Sequence, residues 1–520
     1  MPAPMAGKLA IIDYVILAAY LIGTVALGLA IGRRIKTGKD FFLAGKSLPW
    51  WAVGMSLVAT DIGGTDIIGV GGAAYSHGLA VGNFEWIGCV PAMIVGAFIF
   101  IPIFWRLGIY TIPEYMEKRF NVGTRSALAV TWLIFMACNL GIMLFASAKM
   151  MNVLFGWDET ACVFLTAALV GVYTLAGGLA AVVYTDVLQC AVMIGGCLLA
   201  LIIGINDLGG VGGMLESIRE IEAAKDLPEG QMTDLILPAD ADTPFPWTGI
   251  LFGLALILSP AYWIGNQAIV QRSLGAKSEF AAKASYIWGA LLKNLIPVIV
   301  AVPGLIALAK FPELADGDKA FPTLVAELFP AGLRGLFLAA FIAALMSSVD
   351  SYLNASATIV TNDFYKRFFN PQASDTRLLT VGRIVTAVLL AWAIGFAFVI
   401  AKIEGMGIYA IFQTLMAFFQ GPALALILTG LLWKRANGEG AFVGFIGGVC
   451  FSIALYALSQ EGVQKALGMQ PLFKVPDPFL FYSIWAFVVS LALIAIVSLA
   501  TPPESDEKLK NVVWHFKKGS

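Results

Sequence analysis

The sequence predicts an all-α polytopic membrane protein of about thirteen transmembrane helices, and three observations predict it. The 520 residues are 59% hydrophobic and only 13% charged, too little polar surface to cover a soluble particle of that size. A sliding window of about 19 residues marks thirteen apolar segments. Lysine and arginine gather in every second connection, the pattern that cytoplasmic loops carry.

Residues 11–32 are an apolar run, with Asp13 its one charge, behind one lysine and no small-residue cleavage signal, and are expected to stay as a span. Residues 48–75 are long enough to cross, yet Asp61, Gly63, Gly64 and Asp66 interrupt them. Backbone that leaves its helix at membrane depth is tolerated only beside protein or a water-filled cavity, and charges in such places mark an ion or solute path. Residues 82–105 open on Asn83-Phe84-Glu85-Trp86. Residues 124–152, 160–178 and 183–206 are three further apolar segments; the last carries Asp186, at the inner end of its span as either a functional carboxylate or, with Thr185, a helix N-cap. In 247–271, Pro260 and Gly265 flank Tyr262 and Trp263, which predicts a second discontinuous helix or, alternatively, a proline kink.

Residues 281–309 carry Lys293 well inside. A lone charge there is costly, so Glu85 and Lys293 are expected to pair around a polar ligand; the alternative leaves Glu85 at the outer water boundary and lets Lys293 snorkel. Residues 331–363 hold Ser347, Ser348, Asp350 and Ser351, with Ser347 and Ser351 on one helical face. Hydroxyl, carboxylate and carbonyl oxygens are hard ligands that suit sodium. A packing face of small residues, or back-bonding within the helix, also explains such serines. Residues 378–401, 407–432, 440–459 and 479–500 complete the series.

The basic connections contain Arg33, Arg34, Lys36, Lys39 and Lys46; Arg106, Lys118, Arg119 and Arg125; Arg272, Lys277 and Lys283; Lys366, Arg367, Arg377 and Arg383; Lys434 and Arg435; and a tail with Lys508, Lys510, Lys517 and Lys518. The loop 207–242 is acidic instead. The N-terminus is therefore expected outside and the C-terminus in the cytoplasm, in a bacterial inner membrane or a plasma membrane. Residues 1–520 form one membrane domain, with a short surface helix expected near 213–224. The net charge of -1 gives no sign of a nucleic-acid partner, and no obligatory protein partner is evident beside the lipid bilayer. Six cysteines in apolar runs are expected to be buried and inert, and His77 and His515, the only histidines, argue against a histidine metal site.

Phe42-Leu43-Ala44-Gly45-Lys46-Ser47-Leu48-Pro49-Trp50-Trp51-Ala52-Val53-Gly54, Gly108-Ile109-Tyr110-Thr111-Ile112-Pro113-Glu114-Tyr115 and the stretch 347–354 resemble the sodium/solute symporter family, above all its sodium–sugar cotransporter branch. The resemblance runs from about Asp13 to at least Trp433. It implies a LeuT-type fold of two inverted five-helix repeats, with a core over 48–432, a leading helix at 11–32, two further helices over 440–500 and a cytoplasmic tail over 501–520. It implies a main sodium site at Ala59, Ile62, Ala344, Ser347 and Ser348, and a possible second one at Asp186, Asp350 and Ser351 with Ser347, for one or two co-transported sodium ions. The implied solute pocket is Asp61, Asp66, Phe84, Glu85, Ser259, Tyr262, Trp263, Lys293 and Gln413, with Tyr262 stacking as the inner gate. The implied activity is sodium-coupled import of a small polar solute, a sugar first, by alternating access and without covalent chemistry, so the chain is not expected to be an enzyme. Asp61 and Asp66 depart from the amides, or at the latter position histidine, of sugar carriers. Ionised carboxylates accept but do not donate, which opens an alternative carrier of an organic cation or amino sugar. Asp66 has a further reading as a cap on the half-helix resuming at Ile67. A non-transporting sensor of the same fold is the third alternative.

Overall fold

The computed structural model describes residues 9–33, 35, 37–402, 407–510 and 512–514; Arg34, Lys36, Lys517, Lys518 and His515 lie outside these. Among the described residues ten helices are each long and apolar enough to cross a membrane. They are α1 (Ile11–Gly32), α3 (Leu79–Leu107), α4 (Val122–Leu154), α6 (Gly178–Asp207), α8 (Glu279–Lys310), α9 (Leu333–Phe369), α10 (Asp375–Ile400), α11 (Ile408–Leu432), α12 (Gly438–Ser459) and α13 (Phe479–Ala500). Two further spans are broken: α2 (Trp50–Asp61 and Gly64–His77, bent by 55°) and α7 (Gly249–Gly265 and Gln267–Leu274, bent by 50°). The segment expected at 160–178 is α5, the first arm of the helix Glu159–Asp207, which is helical without interruption up to a kink at Gly178. The chain enters α6 through Gly178, at φ 56°, a left-handed conformation that glycine adopts without steric cost. With α5, the ten helices and the two broken spans make thirteen apolar segments among the described residues, the number expected.

Both breaks have local causes. In α2 the first half stops at Ile62 (φ -88°, ψ 81°), and Gly63 is extended before the second half begins. The Asp66 carboxylate accepts the Gly63 N–H at 2.9 Å, satisfying an amide that the break leaves without a helical partner. In α7 the break falls at Asn266 (φ -69°, ψ 119°), directly after Gly265 and within the 259–267 stretch expected to hold it; the Asn266 side chain accepts the Ala268 N–H at 3.0 Å. Pro260 instead marks the passage from π-helical winding (Gly249–Leu258) to the α-helical turns that follow. The two broken helices stand five elements apart, so a chain that crosses with every element runs through them in opposite directions.

Burial separates core from rim. The apolar window of α9 is 94% buried inside the protein, whereas that of α1 is 11% buried and offers its side chains to lipid. Outside the spans, Val211–Ala224 is the expected surface helix. Helix Ile112–Arg119 is pinned by Arg119, whose guanidinium is fully buried and donates to the carbonyls of Gly430, Trp433 and Ala436. Of the cysteines expected to be buried, Cys450 is exposed on α12 and Cys138 is half-buried.

Candidate functional site

The break in α2, the start of α3, the Ser259–Gly265 turns of α7 and the middle of α11 surround a cavity of about 50 Å³. Eight of the nine expected solute-pocket residues line it: Asp61, Asp66, Phe84, Glu85, Ser259, Tyr262, Trp263 and Gln413. Lys293, the ninth, lies behind this wall at the interruption of α8, where Glu279–Lys293 ends and Ile296–Lys310 begins. Its ammonium is fully buried and bridges the carboxylates of Asp61 and Glu85. The expected Glu85–Lys293 pair is therefore present and the snorkelling alternative is excluded. Glu85 is itself buried, away from the water boundary. The Lys293 ammonium also lies 5.8 Å from the Trp263 ring centroid, and Trp263 meets Tyr262 edge-on at 5.7 Å.

The extra carboxylates are both engaged. Asp61 shares Lys293 with Glu85, and Asp66 caps the half-helix that resumes at Gly64 rather than at Ile67. At that helix N-terminus the backbone dipole favours a negative charge. Capping does not remove Asp66 from the cavity, whose wall it also forms.

Sequence reasoning missed Cys89, Tyr409 and Gln420 in the same wall. Cys89 lies four residues beyond Glu85, and Gln420 seven beyond Gln413, so helical spacing alone would have placed each beside a residue already singled out. Asp61, Glu85 and Cys89 hold their ligand atoms within 4.8 Å of one another, although Lys293 already bridges the two acids. The Gln420 amide is fully buried and makes no hydrogen bond among the described residues.

Beside the cavity α2 and α9 touch through serines. The Ser347 hydroxyl lies 2.5 Å from the Ala59 carbonyl and 2.9 Å from that of Ala344. The Ser348 hydroxyl lies 2.8 Å from the Thr60 carbonyl and 3.3 Å from that of Ala344. Ile62 sits at the break, fully buried. A Cβ at Gly63 would stand 2.6 Å from the Ser348 oxygen, so only glycine there permits this approach.

The remaining expected residues gather one turn along α9. Asp186 lies within α6 and not at a helix start, so the N-cap alternative falls; Thr185 bonds back to the Ala181 carbonyl instead. The Asp186 carboxylate accepts from Ser56 at 2.5 Å and from Arg272 at 3.5 Å. Ser351 lies 3.2 Å from the Asp350 carboxylate, 3.1 Å from the Thr60 hydroxyl, and against Arg272. Arg272, one of the basic connection residues in the sequence pattern, is in fact buried at the end of α7.

A second cavity, of about 540 Å³, lies towards the acidic loop, between the end of α2 at His77 and the connection around Asp318. Tyr409 lines both cavities. Phe84 sets its ring edge-on to those of Tyr409 (5.3 Å) and Phe245 (5.9 Å), with Phe479 at 6.3 Å, so an aromatic layer separates the two spaces. At the rim Asp318 accepts from Lys149 and from the Ile408 N–H, each at 3.0 Å. Burial pushes the Asp318 carboxyl above the ordinary carboxylate range against the pull of Lys149.

Comparison with known proteins places this geometry. The family model described as the sodium:solute symporter family matches residues 41–448. A sodium/glucose cotransporter of Vibrio parahaemolyticus is 34% identical over 528 residues, covering 96% of this chain and 92% of that protein. Human sodium/myo-inositol cotransporter 2 is 32% identical, covering 96% and 78%. Among solved structures, a sodium-coupled sialic acid symporter in a substrate-bound outward-open state superposes with a TM-score of 0.80 at 23% identity, over 95% of this chain and 99% of that one. Mhp1, a nucleobase-cation-symport-1 family transporter in a closed conformation, gives 0.53 at 12% identity, over 91% and 97%. These two likenesses establish the LeuT-type fold.

Proposed function

The chain belongs to the sodium:solute symporter family, and from that premise we propose that the solute it couples to sodium is a neutral, hydroxyl-rich molecule of hexose or polyol size. The observation that carries this reading is the charge arrangement of the central cavity. Asp61 and Glu85 already share the Lys293 ammonium, and Asp66 accepts the Gly63 N–H at a helix N-terminus, so each acid has a partner within the protein before a solute arrives. What the wall offers is hydrogen bonding: carboxylate acceptors, the Ser259 hydroxyl, Gln413, and the buried Gln420 amide with no protein partner. A buried amide without a partner is costly, and sugar hydroxyls both donate and accept. The names of the sodium/glucose and sodium/myo-inositol relatives point the same way. Tyr262 and Trp263 supply the apolar ring faces on which a sugar stacks.

Sodium would bind where Ala59, Ile62 and Ala344 carbonyls meet the Ser347 and Ser348 hydroxyls. The hydroxyl hydrogens now directed at those carbonyls would turn away, leaving oxygen lone pairs for the ion. Such an ion ties the broken helix to α9 and so steadies the wall that carries Asp61 and Asp66.

In this reading the core spans 48–432, with 11–32 before it and 440–500 after it, and the basic connections face the cytoplasm. The larger cavity is then the outer vestibule. A central space of about 50 Å³ has room for a few waters and none for a hexose, at about 10–15 Å³ per water, so it must widen before solute binds. The Phe84–Tyr409–Phe245–Phe479 layer parts to admit solute from outside, and rocking of the core later frees sodium and solute inwards. No bond is made or broken in the solute.

Thermal unfolding of the purified protein tests the solute class. D-glucose, D-galactose and myo-inositol are expected to raise Tm in sodium and not in potassium, a ligand at 100 times its Kd stabilising by about 2.7 kcal/mol. Stabilisation by a quaternary amine or an amino sugar, with none by neutral polyols, would assign the cavity to a cation.

A further inference from the structure

One turn of α9 beyond Ser347 is an oxygen cage that already holds a cation. Ser56 of α2, Asp186 of α6 and Ser351 of α9 converge on the Arg272 guanidinium, which reaches in from the end of α7. Its Nε donates to the Ser56 hydroxyl at 2.7 Å, and its Nη2 donates to Asp186 at 3.5 Å and to the Ser351 hydroxyl. Nη1 donates to the Ala268 carbonyl. Arg272 is 1% exposed and Asp186 0%. Asp350 completes the cluster by accepting from Ser351 at 3.2 Å.

Asp186, Asp350 and Ser351 of this cage, with Ser347, are the set expected to hold a second sodium ion. A guanidinium keeps its charge at any pH a cell experiences, so this cation is never switched off. A sodium ion arriving at Asp186 would have to share a carboxylate with that charge in a buried site, where like charges repel strongly. It would also find the Ser351 oxygen already accepting from Arg272.

We propose that Arg272 is a tethered cation standing where a second sodium would otherwise bind, so that the protein takes up a single sodium per cycle, at the Ser347–Ser348 site. The inference rests on the assignment of that main site above. It also gives Arg272 a positioning role, because the guanidinium joins α2, α6 and α9 to the second half of α7 whether or not sodium is present.

Equilibrium binding of radioactive sodium to the full-length protein in lipid nanodiscs tests this without knowledge of the solute. At a sodium concentration that just saturates the wild type, the wild type is expected to bind one sodium per chain, and Ser348→Ala almost none. Arg272→Gln keeps hydrogen-bond donors but loses the charge, and is expected to bind two. Two ions on the wild type, one remaining on Ser348→Ala, or an unchanged single ion on Arg272→Gln would each overturn the proposal. Should Arg272→Gln fail to fold, the first two measurements still decide. No sodium on the wild type would instead overturn the main-site assignment, an outcome distinct from the others.

Discussion

Lys293 is the residue on which the cavity's charge depends. Its ammonium is buried between Asp61 and Glu85, and removing one partner from such a cluster costs about 3–5 kcal/mol because the rest stay charged and unpaired. Lys293→Ala is therefore expected to lower Tm and abolish uptake. Adding Glu85→Gln should recover part of the Tm and none of the uptake, which thermal unfolding and transport of the same samples would report; normal uptake by Lys293→Ala would remove the residue from the site. Ser348→Ala should weaken sodium activation about tenfold or more while keeping the order of solute preference, and an unchanged sodium dependence would sink that ligand. The Glu85–Lys293 pairing was legible in the sequence because an unpaired charge inside a span is so costly. That Asp61 shares the same lysine was not, since the bend in α2 alone decides which way its carboxylate turns. Arg272 was misread for a related reason: a basic residue at the end of an apolar segment looks like a loop residue until the packing around it is known.

At the scale of the elements, the breaks in α2 and α7 place the chemistry. Gly63→Ala adds a methyl group against the Ser348 oxygen and is expected to push α2 from α9, with loss of sodium activation. Gly23→Ala on α1 meets nothing within 4 Å and should behave as wild type in the same assay. The first break was legible from its glycine pair and two acids. The second was legible from the 259–267 stretch, although it is Asn266 that ends the helix while Pro260 is absorbed by π-helical winding. Outside the spans, helix Ile112–Arg119 is tied to the end of α9 by Glu117, which meets Arg367 at 2.7 Å and also Arg125. The Arg367 hydrogen bond, with Arg125 behind it, holds the Glu117 carboxyl below its ordinary range. Its stabilising contribution is therefore full above the usual glutamate value of about 4.3 and fades as pH falls through the lowered one. Glu117→Gln should lower Tm at neutral pH, with the difference from wild type closing in acid; a constant difference across that range would contradict it.

At the scale of the whole molecule, the class, the number of apolar segments and the family were all legible, since each rests on composition, periodicity or long motifs. What the sequence did not reveal is the state of the pathway, which depends on how aromatic rings from α3, α11, α13 and the 207–246 connection meet. If the basic connections are cytoplasmic, a cysteine at Glu229 in the acidic loop should react with an impermeant thiol reagent on intact cells, and one at Lys277 only after permeabilisation. The reverse pattern would invert the topology. The central claim is sodium-driven movement of a neutral polyol, and uptake of labelled D-glucose and myo-inositol into proteoliposomes with an inward sodium gradient tests it most directly. Accumulation above the outside concentration with sodium, and none when potassium replaces it, is the predicted result. Sodium-driven accumulation of a quaternary amine with neither polyol taken up would contradict it.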